Sequence, residues 1–348
     1  MKKVLVTGAG GFLGGWIVES FFLSGIPVKA GIRRWNSAVR LARRPVDVVP
    51  CDVLAPEQLD AAMHDCDAVV HCAVGNERVT VDGTRQVMDA AKRARLNRVV
   101  HVSSVAVYGK ASGKIDEQHP QRSRGNTYAK YKIAAEREAR HAMAQGLAVA
   151  ILRPSIVYGP FSTAWTVSFA KRLTSGSWGT MGPRADGLCN LVYVSDVVQA
   201  VFCALREDQA AGEAFNVNGP EIITWNEFFQ RFNAALQREP LRHVSPLPIA
   251  LKAHLLGPVR TAAKQLLSHF GPWVFRLHAQ SASAAKYMKA TESLLKMTPT
   301  SEQLKLYAVR AEYDINKARE TLGYAPLVGV DQGLRFCTEW LRQQMLID

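Results

Sequence analysis

The segment Tyr128-Ala129-Lys130-Tyr131-Lys132 places a phenol and an ammonium group where they could move a proton together. Tyr128 and Lys132 are four residues apart, so in a helix they share one face. A phenol has an ordinary pKa of about 10, which is too high for a good base near neutral pH. A neighbouring cation favours the phenolate, which could then exchange a proton with a substrate hydroxyl or carbonyl group.

A second hydroxyl group is predicted near this pair. Ser103 and Ser104 follow the apolar run 99–102, which predicts a strand. Ligands bind beyond the carboxyl ends of parallel strands, so a hydroxyl there could hydrogen-bond a substrate oxygen on which charge develops. The alternative role is structural, a hydroxyl that caps the backbone at the end of the strand.

The elements that must position these groups are short apolar strands that alternate with helices. Strands are predicted at 4–6, 28–32, 46–49, 68–71, 99–102 and 149–152, and helices at 12–23, 83–94 and 129–145. This order predicts an α/β fold, a Rossmann-type doubly wound parallel sheet built from right-handed βαβ units. The 348 residues suffice for two domains. We predict a dinucleotide-binding domain of residues 1–160 plus about 189–220. Residues 161–188 and about 221–348 are predicted to form a smaller, mostly helical C-terminal substrate lobe.

The first strand leads into a glycine-rich turn that opens the first helix. Its residues include Gly8, Gly11, Phe12, Leu13 and Gly14. Glycines at this spacing permit a tight turn and a close approach of the backbone to a pyrophosphate, and the helix N-terminus offers free N–H groups. A strand, a glycine triplet and a helix at the start of a βαβ series therefore predict dinucleotide binding.

Two arginines, Arg33 and Arg34, end the second strand about 20 residues after Gly14. An acidic residue at this position selects NAD through the ribose 2′-hydroxyl, whereas arginine accommodates the 2′-phosphate of NADP. No acidic residue occurs between positions 29 and 45. We predict NADP as the cofactor and NAD as the alternative, with Arg33 on the phosphate and Arg34 assisting. Gly31 is expected where a side chain would crowd the ribose. The alternative role of both arginines is a general basic surface.

Composition limits the partners. The net charge of +13 suits an anionic partner, but no helix-turn-helix, zinc-finger or aromatic RNA-binding motif is present, so nucleic acid is not expected. Six scattered cysteines offer no metal-ligand spacing and indicate a reducing compartment. There is no apolar run long enough to span a membrane and no signal peptide, so we expect a cytoplasmic protein without a metal.

The segment 240–310 is strongly basic, with ten Lys or Arg and two acidic residues. One interpretation is a lid over an apolar substrate that also makes peripheral contact with an anionic membrane. The interpretation we favour is a helical substrate lobe with a solvated basic face.

Together these motifs resemble those of extended short-chain dehydrogenases/reductases, the NAD(P)-dependent epimerase/dehydratase superfamily. The similar segments are 7–14, 71–73, 82–84, 103–109, 128–132, 153–160, 192–197, 215–217 and 322–324. The resemblance implies that Tyr128 is the acid/base and that Lys132 holds the cofactor ribose and lowers the pKa of the tyrosine. Ser104 would orient the substrate, and Ser103 would touch the cofactor.

The resemblance also implies further contacts and an assembly. On the nicotinamide side it implies Pro154 and Val157. Towards the rest of the cofactor we predict Asp52, Val53, Cys72, Ala73 and Val74. A homodimer through the helices near 83–94 and 129–145 is expected.

Three departures from the sugar-nucleotide enzymes are visible. The 4,6-dehydratases carry Asp-Glu where Val105 and Ala106 stand here, and these apolar residues cannot transfer protons. The epimerases often carry an Arg-Asp pair where Cys189 and Asn190 stand, so the phosphate-binding arginine fork is missing at that place. The segment 74–81 is also short. These differences favour the reductase and 3-beta-hydroxysteroid-dehydrogenase-like branches.

The resulting functional hypothesis is an NADP-dependent oxidoreductase that interconverts a ketone and a secondary alcohol by hydride transfer, with the Ser104–Tyr128–Lys132 set acting on a small-molecule substrate. The alternative is an NDP-sugar epimerase with tightly bound NAD. A third hypothesis is a nucleotide-sensing scaffold without catalysis, which the complete catalytic set argues against.

Overall fold

The computed structural model describes residues 3–123, 125–176, 178–244, 256, 258 and 298–347. The strands in chain order are β1 (Val4–Thr7), β2 (Val28–Ile32), β3 (Asp47–Pro50), β4 (Ala68–His71), β5 (Arg98–Val102), β6 (Gly113–Ile115), β7 (Val149–Pro154), β8 (Ile156–Tyr158), β9 (Leu188–Cys189), β10 (Leu191–Tyr193), β11 (Ala214–Val217), β12 (Ile223–Thr224) and β13 (Ala311–Tyr313).

The α-helices of the described residues lie between these strands and towards the C-terminus. They are α1 (Phe12–Leu23), α2 (Pro56–Met63), α3 (Gly83–Arg93), α4 (Thr127–Ala144), α5 (Ser168–Thr174), α6 (Val194–Arg206), α7 (Trp225–Ala235), α8 (Ser301–Tyr307), α9 (Asn316–Leu322) and α10 (Val330–Gln343). Short helical turns used below are Trp35–Ala38, Leu41–Arg43, Arg78–Asp82 and Val105–Tyr108.

Seven parallel strands form the central sheet, in the order β11-β7-β5-β4-β1-β2-β3. On β1, Thr7 pairs with Gly31 of β2 on one side and with His71 of β4 on the other. The chain therefore moves outward in both directions from β1, and the strand order reverses between β1 and β4. Such a reversal creates a crevice at the carboxyl ends of the strands, where ligands bind in doubly wound folds. The predicted Rossmann-type α/β fold is confirmed.

Apolar side chains cover both faces of this sheet. One face packs against α1 and α6, with Ile17, Phe21 and Val201 fully buried. The other face packs against α2, α3 and α4, where Val87 and Ala139 are fully buried. Because both faces are covered, the strands can be uninterrupted runs of Val, Ile, Leu and Ala, which is the pattern of parallel sheets.

The chain divides into two compact units. The first unit, which contains the central sheet, comprises residues 1–162, 190–222 and 311–333, and the second comprises 163–189, 223–310 and 334–348. Residues 311–333 differ from the predicted boundaries, which assigned them to the C-terminal lobe. They join the first unit because β13 pairs with β6 and α9 packs against β11. The functional roles of the two parts stay predictions.

The described ranges contain neither a membrane-spanning helix nor a metal-binding cluster. No helix there is both long and apolar enough to cross a membrane. No cluster of three or more His, Cys, Asp or Glu there could hold a metal ion. Most of the basic segment 240–310, with its two interpretations, lies outside the described residues.

Two histidines are stacked inside the sheet, one on each of two paired strands. The His71 ring on β4 and the His101 ring on β5 lie 5.4 Å apart between centroids. Neither ring nitrogen of His101 has a hydrogen-bond partner among the described residues. Burial first, and then the charge of Lys132, lowers the pKa of His101 to about 3. Both imidazoles are therefore neutral in the folded protein, since the pKa of His71 is lowered by the same causes.

This burial predicts that the protein becomes less stable as the pH is lowered, because the unfolded chain binds a proton that folded His101 does not. The effect begins below the ordinary pKa of 6.5 and continues down to about 3. A His101→Leu variant should lose this pH dependence. The unfolding free energy of the variant minus that of wild type should therefore increase by about 1.4 kcal/mol when the pH is lowered from about 7.5 to 5.5. Urea unfolding at both pH values measures this. An exposed-histidine variant, His64→Gln, is the control, and parallel pH dependence of wild type and His101→Leu would contradict the prediction.

Candidate functional site

The glycine turn after β1 is crowded, and this crowding explains its sequence. Gly8 has a φ of 69°, and a Cβ there would come within 2.9 Å of the backbone nitrogen of Ala73. A Cβ on Gly14 would overlap the carbonyl oxygen of Gly8. Helix α1 then starts at Phe12 with Gly11 as its N-cap and with no side chain capping it. The first N–H groups of α1 are therefore left free for an anion, as a dinucleotide pyrophosphate requires.

A cleft of about 610 Å³ opens at the carboxyl ends of β1, β2, β3 and β4. Nine of the predicted cofactor residues line it: Gly8, Gly11, Arg33, Arg34, Asp52, Val53, Cys72, Ala73 and Val74. Phe12, Leu13 and Gly14 lie in the first turn of α1 and are not part of the lining. The size of the cleft and the α1 N-terminus without a side-chain cap fit a dinucleotide. Asp52 lies at the β3 end of the cleft.

Other residues of the cleft were not predicted. They are Gly10, Ile32, Asn36, Ser37, Cys51, Gly75, Asn76 and Val79. Cys51 could have been found, because it directly precedes the predicted Asp52 after a strand. No sequence pattern indicated Ser37. It reaches the cleft because the turn Trp35–Ala38 folds back on Gly10, where a Cβ would lie 2.6 Å from the Ser37 Oγ.

Gly31 is required for a different reason from the one predicted. A Cβ at this position would lie 2.9 Å from the Cβ of Cys51, and 3.2 Å from the carbonyl oxygen of Val6. The neighbouring chain after β3 therefore occupies the space beside Gly31. The expectation that Gly31 leaves room for a ribose is replaced by a packing constraint between β2 and the end of β3.

Four of the five arginines of this region, all except Arg43, fall into two groups. Arg40 and Arg44 form ion pairs with Glu19 of α1, at 3.2 and 3.4 Å. Arg33 and Arg34 are exposed and line the cleft, and no ion pair of either guanidinium occurs within the described ranges. The general basic surface therefore explains Arg40 and Arg44 but not the pair at the end of β2.

The predicted catalytic hydroxyls are adjacent. Asn126 caps α4, accepting a hydrogen bond from the Ala129 backbone nitrogen at 3.1 Å, so Tyr128 lies in the first helical turn. Partial burial raises the pKa of Tyr128 above its ordinary value, and a hydrogen bond with the Ser104 side chain opposes that rise. The Ser104 Oγ also accepts the Ala106 backbone nitrogen at 3.2 Å. Ser104 thus has the capping role considered from the sequence, and its hydrogen bond to a substrate oxygen stays a prediction.

Lys132 is buried beneath this pair. Its Nζ donates a hydrogen bond to the carbonyl oxygen of Val102 at 2.7 Å and lies 6.0 Å from the centre of the Tyr128 ring. Burial lowers the pKa of Lys132 to about 8, while Cys72 and Glu136 oppose the decrease. The ammonium group is therefore still mostly charged at neutral pH. The expected lowering of the Tyr128 pKa by Lys132 is not found, since burial raises that pKa and Lys132 is not among the groups that shift it.

The remaining predicted residues lie near the ends of β5 and β7. Ser103 is buried beside Glu136, and its backbone nitrogen donates to the carbonyl oxygen of Leu152 at 2.7 Å. Pro154 ends β7 and Val157 lies in β8. These three residues do not line the cleft described above.

A buried ion pair fixes helix α4 to the sheet. The guanidinium of Arg153 on β7 donates from Nε to Glu136 Oε1 at 2.9 Å and from Nη2 to Oε2 at 2.7 Å. Arg153 also donates to the hydroxyl of Tyr108 at 2.8 Å, and that hydroxyl donates to Asn216 at 2.7 Å. Burial would raise the pKa of the Glu136 carboxyl, but the hydrogen bonds from Arg153 lower it below its ordinary value. Glu136 lies one helical turn from Lys132, and it was not predicted from the sequence as the partner of Arg153.

Removing Arg153 should leave Glu136 as an uncompensated buried charge. We expect Arg153→Met to lower the unfolding free energy by about 3–5 kcal/mol, measured by urea denaturation. An Arg153→Met/Glu136→Leu double variant should recover at least half of that loss. As a control, Arg93→Met removes a pair in which both side chains are 48% exposed and should change stability by less than about 1 kcal/mol. Equal effects of Arg153→Met and Arg93→Met would contradict this interpretation.

Comparison with known proteins gives relatives over most of the chain. The sequence profile of the NAD dependent epimerase/dehydratase family matches residues 4–218. The 2-alkyl-3-oxoalkanoate reductase of Shewanella oneidensis is 28% identical over 360 residues, covering 96% of this chain and 85% of that protein. The 4-hydroxy-2-methyl-3-oxo-4-farnesyl-3,4-dihydroquinoline-1-oxide ketoreductase of Stigmatella aurantiaca is 25% identical over 348 residues, covering 95% and 94%.

Solved structures share the fold at lower identity. The UDP-glucuronic acid 4-epimerase of Bacillus cereus, in complex with NAD, superposes with a TM-score of 0.71 at 18% identity, covering 98% of this chain and 99% of that chain. The protein gox2253 gives a TM-score of 0.74 at 21% identity with complete coverage of both chains. With the profile match over more than half of its length, this chain belongs to the NAD dependent epimerase/dehydratase family, and it is an NAD(P)-dependent enzyme of the extended short-chain dehydrogenase/reductase type.

Proposed function

We propose that this protein interconverts a ketone and a secondary alcohol, with NADP as its cofactor. The observation that carries the proposal is the contact of the Tyr128 and Ser104 side chains next to the buried ammonium of Lys132. The relatives named as a 2-alkyl-3-oxoalkanoate reductase and a ketoreductase support a carbonyl substrate.

The proposed chemistry divides between a hydride and a proton. The reduced dinucleotide, when bound, supplies the hydride for the carbonyl carbon. Tyr128 donates its phenolic proton to the carbonyl oxygen, so the oxygen becomes a hydroxyl and the tyrosine a phenolate. Ser104 donates a hydrogen bond to the same oxygen, where negative charge develops. The Lys132 ammonium stabilises the phenolate until solvent returns a proton.

The protonation state of Tyr128 gives the two directions of the reaction different pH dependences. A tyrosine whose pKa lies above its ordinary value is protonated at neutral pH, so it is ready to act as an acid. The reverse reaction requires phenolate, which forms at higher pH. The rate of alcohol oxidation should therefore increase with pH over a range in which reduction is already at its maximum.

The cofactor preference rests on Arg33 and Arg34. Both line the cleft together with Asp52, and neither forms an ion pair within the described part of the chain. The carboxylate of Glu19 is engaged by Arg40 and Arg44. Two free guanidinium groups suit the dianionic 2′-phosphate of NADP, since arginine binds phosphate through paired N–H donors. An NAD-selecting carboxylate at the end of β2 is absent from the sequence.

The second candidate function is an NDP-sugar epimerase with retained NAD. The NAD-bound 4-epimerase structure with the same fold favours it. Against it, Asn190 is committed to structural hydrogen bonds, donating to the carbonyl oxygen of Ala311 at 2.8 Å and accepting from Asn218 at 3.2 Å. Cys189 is fully buried. These positions, which hold an Arg-Asp pair in many epimerases, supply no phosphate-binding group here.

The wider organisation follows from the same proposal. The sheet-containing unit would bind the dinucleotide, and the second unit would supply substrate contacts. We further propose a homodimer through the surfaces of α3 and α4 and a cytoplasmic location. Peripheral contact with an anionic membrane remains a hypothesis for the basic segment 240–310.

Replacing the phenol tests the proton transfer. Tyr128→Phe should lower the kcat of NADPH-dependent ketone reduction by about 10²–10⁴-fold, while the Kd of NADPH changes little. Tyr131→Phe, three residues later on the same helix, is the matched control and should retain activity. NADPH absorbance with a panel of 2-alkyl-3-oxoalkanoates, steroid ketones and UDP-sugars gives the rates. UDP-sugar epimerisation without net NADPH consumption would support the second candidate instead.

Replacing the cleft arginine tests the cofactor. Arg33→Ala should weaken NADP binding by about tenfold or more, through loss of a charge-assisted pair, and leave NAD binding almost unchanged. Arg43→Ala removes a nearby guanidinium that does not line the cleft, and should not change the ratio of the two Kd values. Isothermal titration with both dinucleotides measures it. Tighter binding of NAD than of NADP by the wild type would disprove the assignment.

A further inference from the structure

The turn that follows Arg33 and Arg34 is held by its own hydrogen bonds and by a buried side chain farther along the chain. Both the backbone nitrogen and the Oγ of Ser37 donate to the carbonyl oxygen of Arg34, at 3.0 and 2.6 Å. Farther along, Leu41 is buried in the core of the sheet-containing unit at 4% exposure. Between these anchors lies Arg40, whose side chain is 14% exposed although it carries a charge.

Arg40 connects this turn to the first turns of α1. Its Nη1 donates to the carbonyl oxygen of Phe12 at 3.3 Å, and its Nη2 donates to Glu19 Oε2 at 3.2 Å. Its side chain also packs on Gly15, where a Cβ would lie 3.1 Å from Nη1. Phe12 is the first residue of α1, so one guanidinium joins the turn after the arginine pair to the helix end that faces the cleft.

Two aromatic rings complete the surroundings of this guanidinium. Its central carbon lies 4.0 Å from the ring centre of Phe161 and 5.3 Å from that of Trp16. Trp16 also donates from its indole nitrogen to the carbonyl oxygen of Pro160 at 3.0 Å. Phe161 has a φ of 72°, a conformation that a phenylalanine adopts only where its surroundings hold it. Arg40 therefore packs between α1 and the segment after β8.

We infer that Arg40 is a positioning residue that sets the preference between NADP and NAD by fixing the turn that carries Arg33 and Arg34. This inference rests on the proposed cofactor preference. Arg40 does not line the cleft and would not contact the dinucleotide. Its influence acts through the distance between the arginine pair, which would bind the 2′-phosphate, and the N-terminus of α1, which would bind the pyrophosphate.

Geometry rather than charge is the basis of this role. The planar guanidinium makes two differently directed hydrogen bonds while stacking on a ring, which a lysine ammonium cannot reproduce. A dinucleotide that lacks the 2′-phosphate does not need the arginine pair at a fixed distance. A misplaced turn should consequently cost more affinity for NADP than for NAD.

The chain provides a matched control in Arg44. It pairs with the same Glu19, at 3.4 Å, but its side chain is 41% exposed and it makes no contact with Phe12 or with either ring among the described residues. Removing Arg44 changes the net charge of the region as much as removing Arg40 does. Arg44 is also joined to α1 through Glu19, so the two variants differ in the hydrogen bond to Phe12 and in the packing on the two rings.

The experiment compares the Kd of NADP and of NAD for wild type, Arg40→Gln, Arg40→Lys, Glu19→Gln and Arg44→Gln. Titrations are made at an ionic strength of about 0.15 M, where exposed charges are screened beyond about 8 Å. The NADP preference is the Kd of NAD divided by the Kd of NADP. We expect this ratio to fall about tenfold in Arg40→Gln and about threefold in Glu19→Gln, since each variant removes part of a charge-assisted contact. Arg40→Lys should not restore the ratio, and Arg44→Gln should leave it unchanged.

The opposite outcomes overturn the inference in distinguishable ways. A full wild-type ratio in Arg40→Lys would make the effect one of charge, and equal losses for both dinucleotides in Arg40→Gln would make it general destabilisation. Either result leaves the cofactor proposal intact if Arg33→Ala still abolishes the preference. A wild type that prefers NAD, or an Arg33→Ala variant with an unchanged ratio, overturns the cofactor proposal and this inference together. Glu19→Gln keeps the test decisive if Arg40→Gln does not fold.

Discussion

A buried ion pair between Arg153 of β7 and Glu136 of α4 holds the helix that carries Tyr128 and Lys132 against the sheet. Both side chains are 1% exposed, so their attraction is little screened by water, and each needs the other to stay charged. Glu136 lies one helical turn beyond Lys132, and Lys132 lies one turn beyond Tyr128. The rotation of α4 that directs Glu136 to the sheet therefore also directs the ammonium and the phenol to the carboxyl end of β5.

Ion pairing also divides the arginines elsewhere in the sheet-containing unit. Glu19 engages Arg40 and Arg44, which removes two of five neighbouring guanidinium groups from the surface facing the cleft. Arg33 and Arg34 are left to line it, beside a helix N-terminus that no side chain caps. The cleft is thus lined by two guanidinium groups that form no ion pair within the described part of the chain, together with the carboxylate of Asp52.

The two histidines in the interior near Lys132 carry no charge. The His71 ring hydrogen-bonds two hydroxyl groups, that of Thr7 through Nδ1 at 2.8 Å and that of Thr84 through Nε2 at 3.1 Å. The Thr84 hydroxyl donates its only proton to the carbonyl oxygen of Thr80, so it must accept from His71, which fixes the neutral tautomer with its proton on Nε2. Because both imidazoles are neutral, they add no positive charge beside the Lys132 ammonium, which lies 6.0 Å from the centre of the Tyr128 ring.

The sequence by itself determined the order of strands and helices, the glycine turn, the Tyr128–Lys132 spacing and the presence of arginines at the end of β2. These features are local: they depend on periodicity, on turn chemistry and on intervals of three to five residues. Only the tertiary structure decided which arginines are paired, because Glu19 lies 21 residues before Arg40. It also decided that Gly31 makes room for Cys51, that 311–333 joins the sheet-containing unit, and that Glu136 is the partner of Arg153. Each of these depends on approach between segments distant in the chain, where packing and burial, and not local spacing, select the contact.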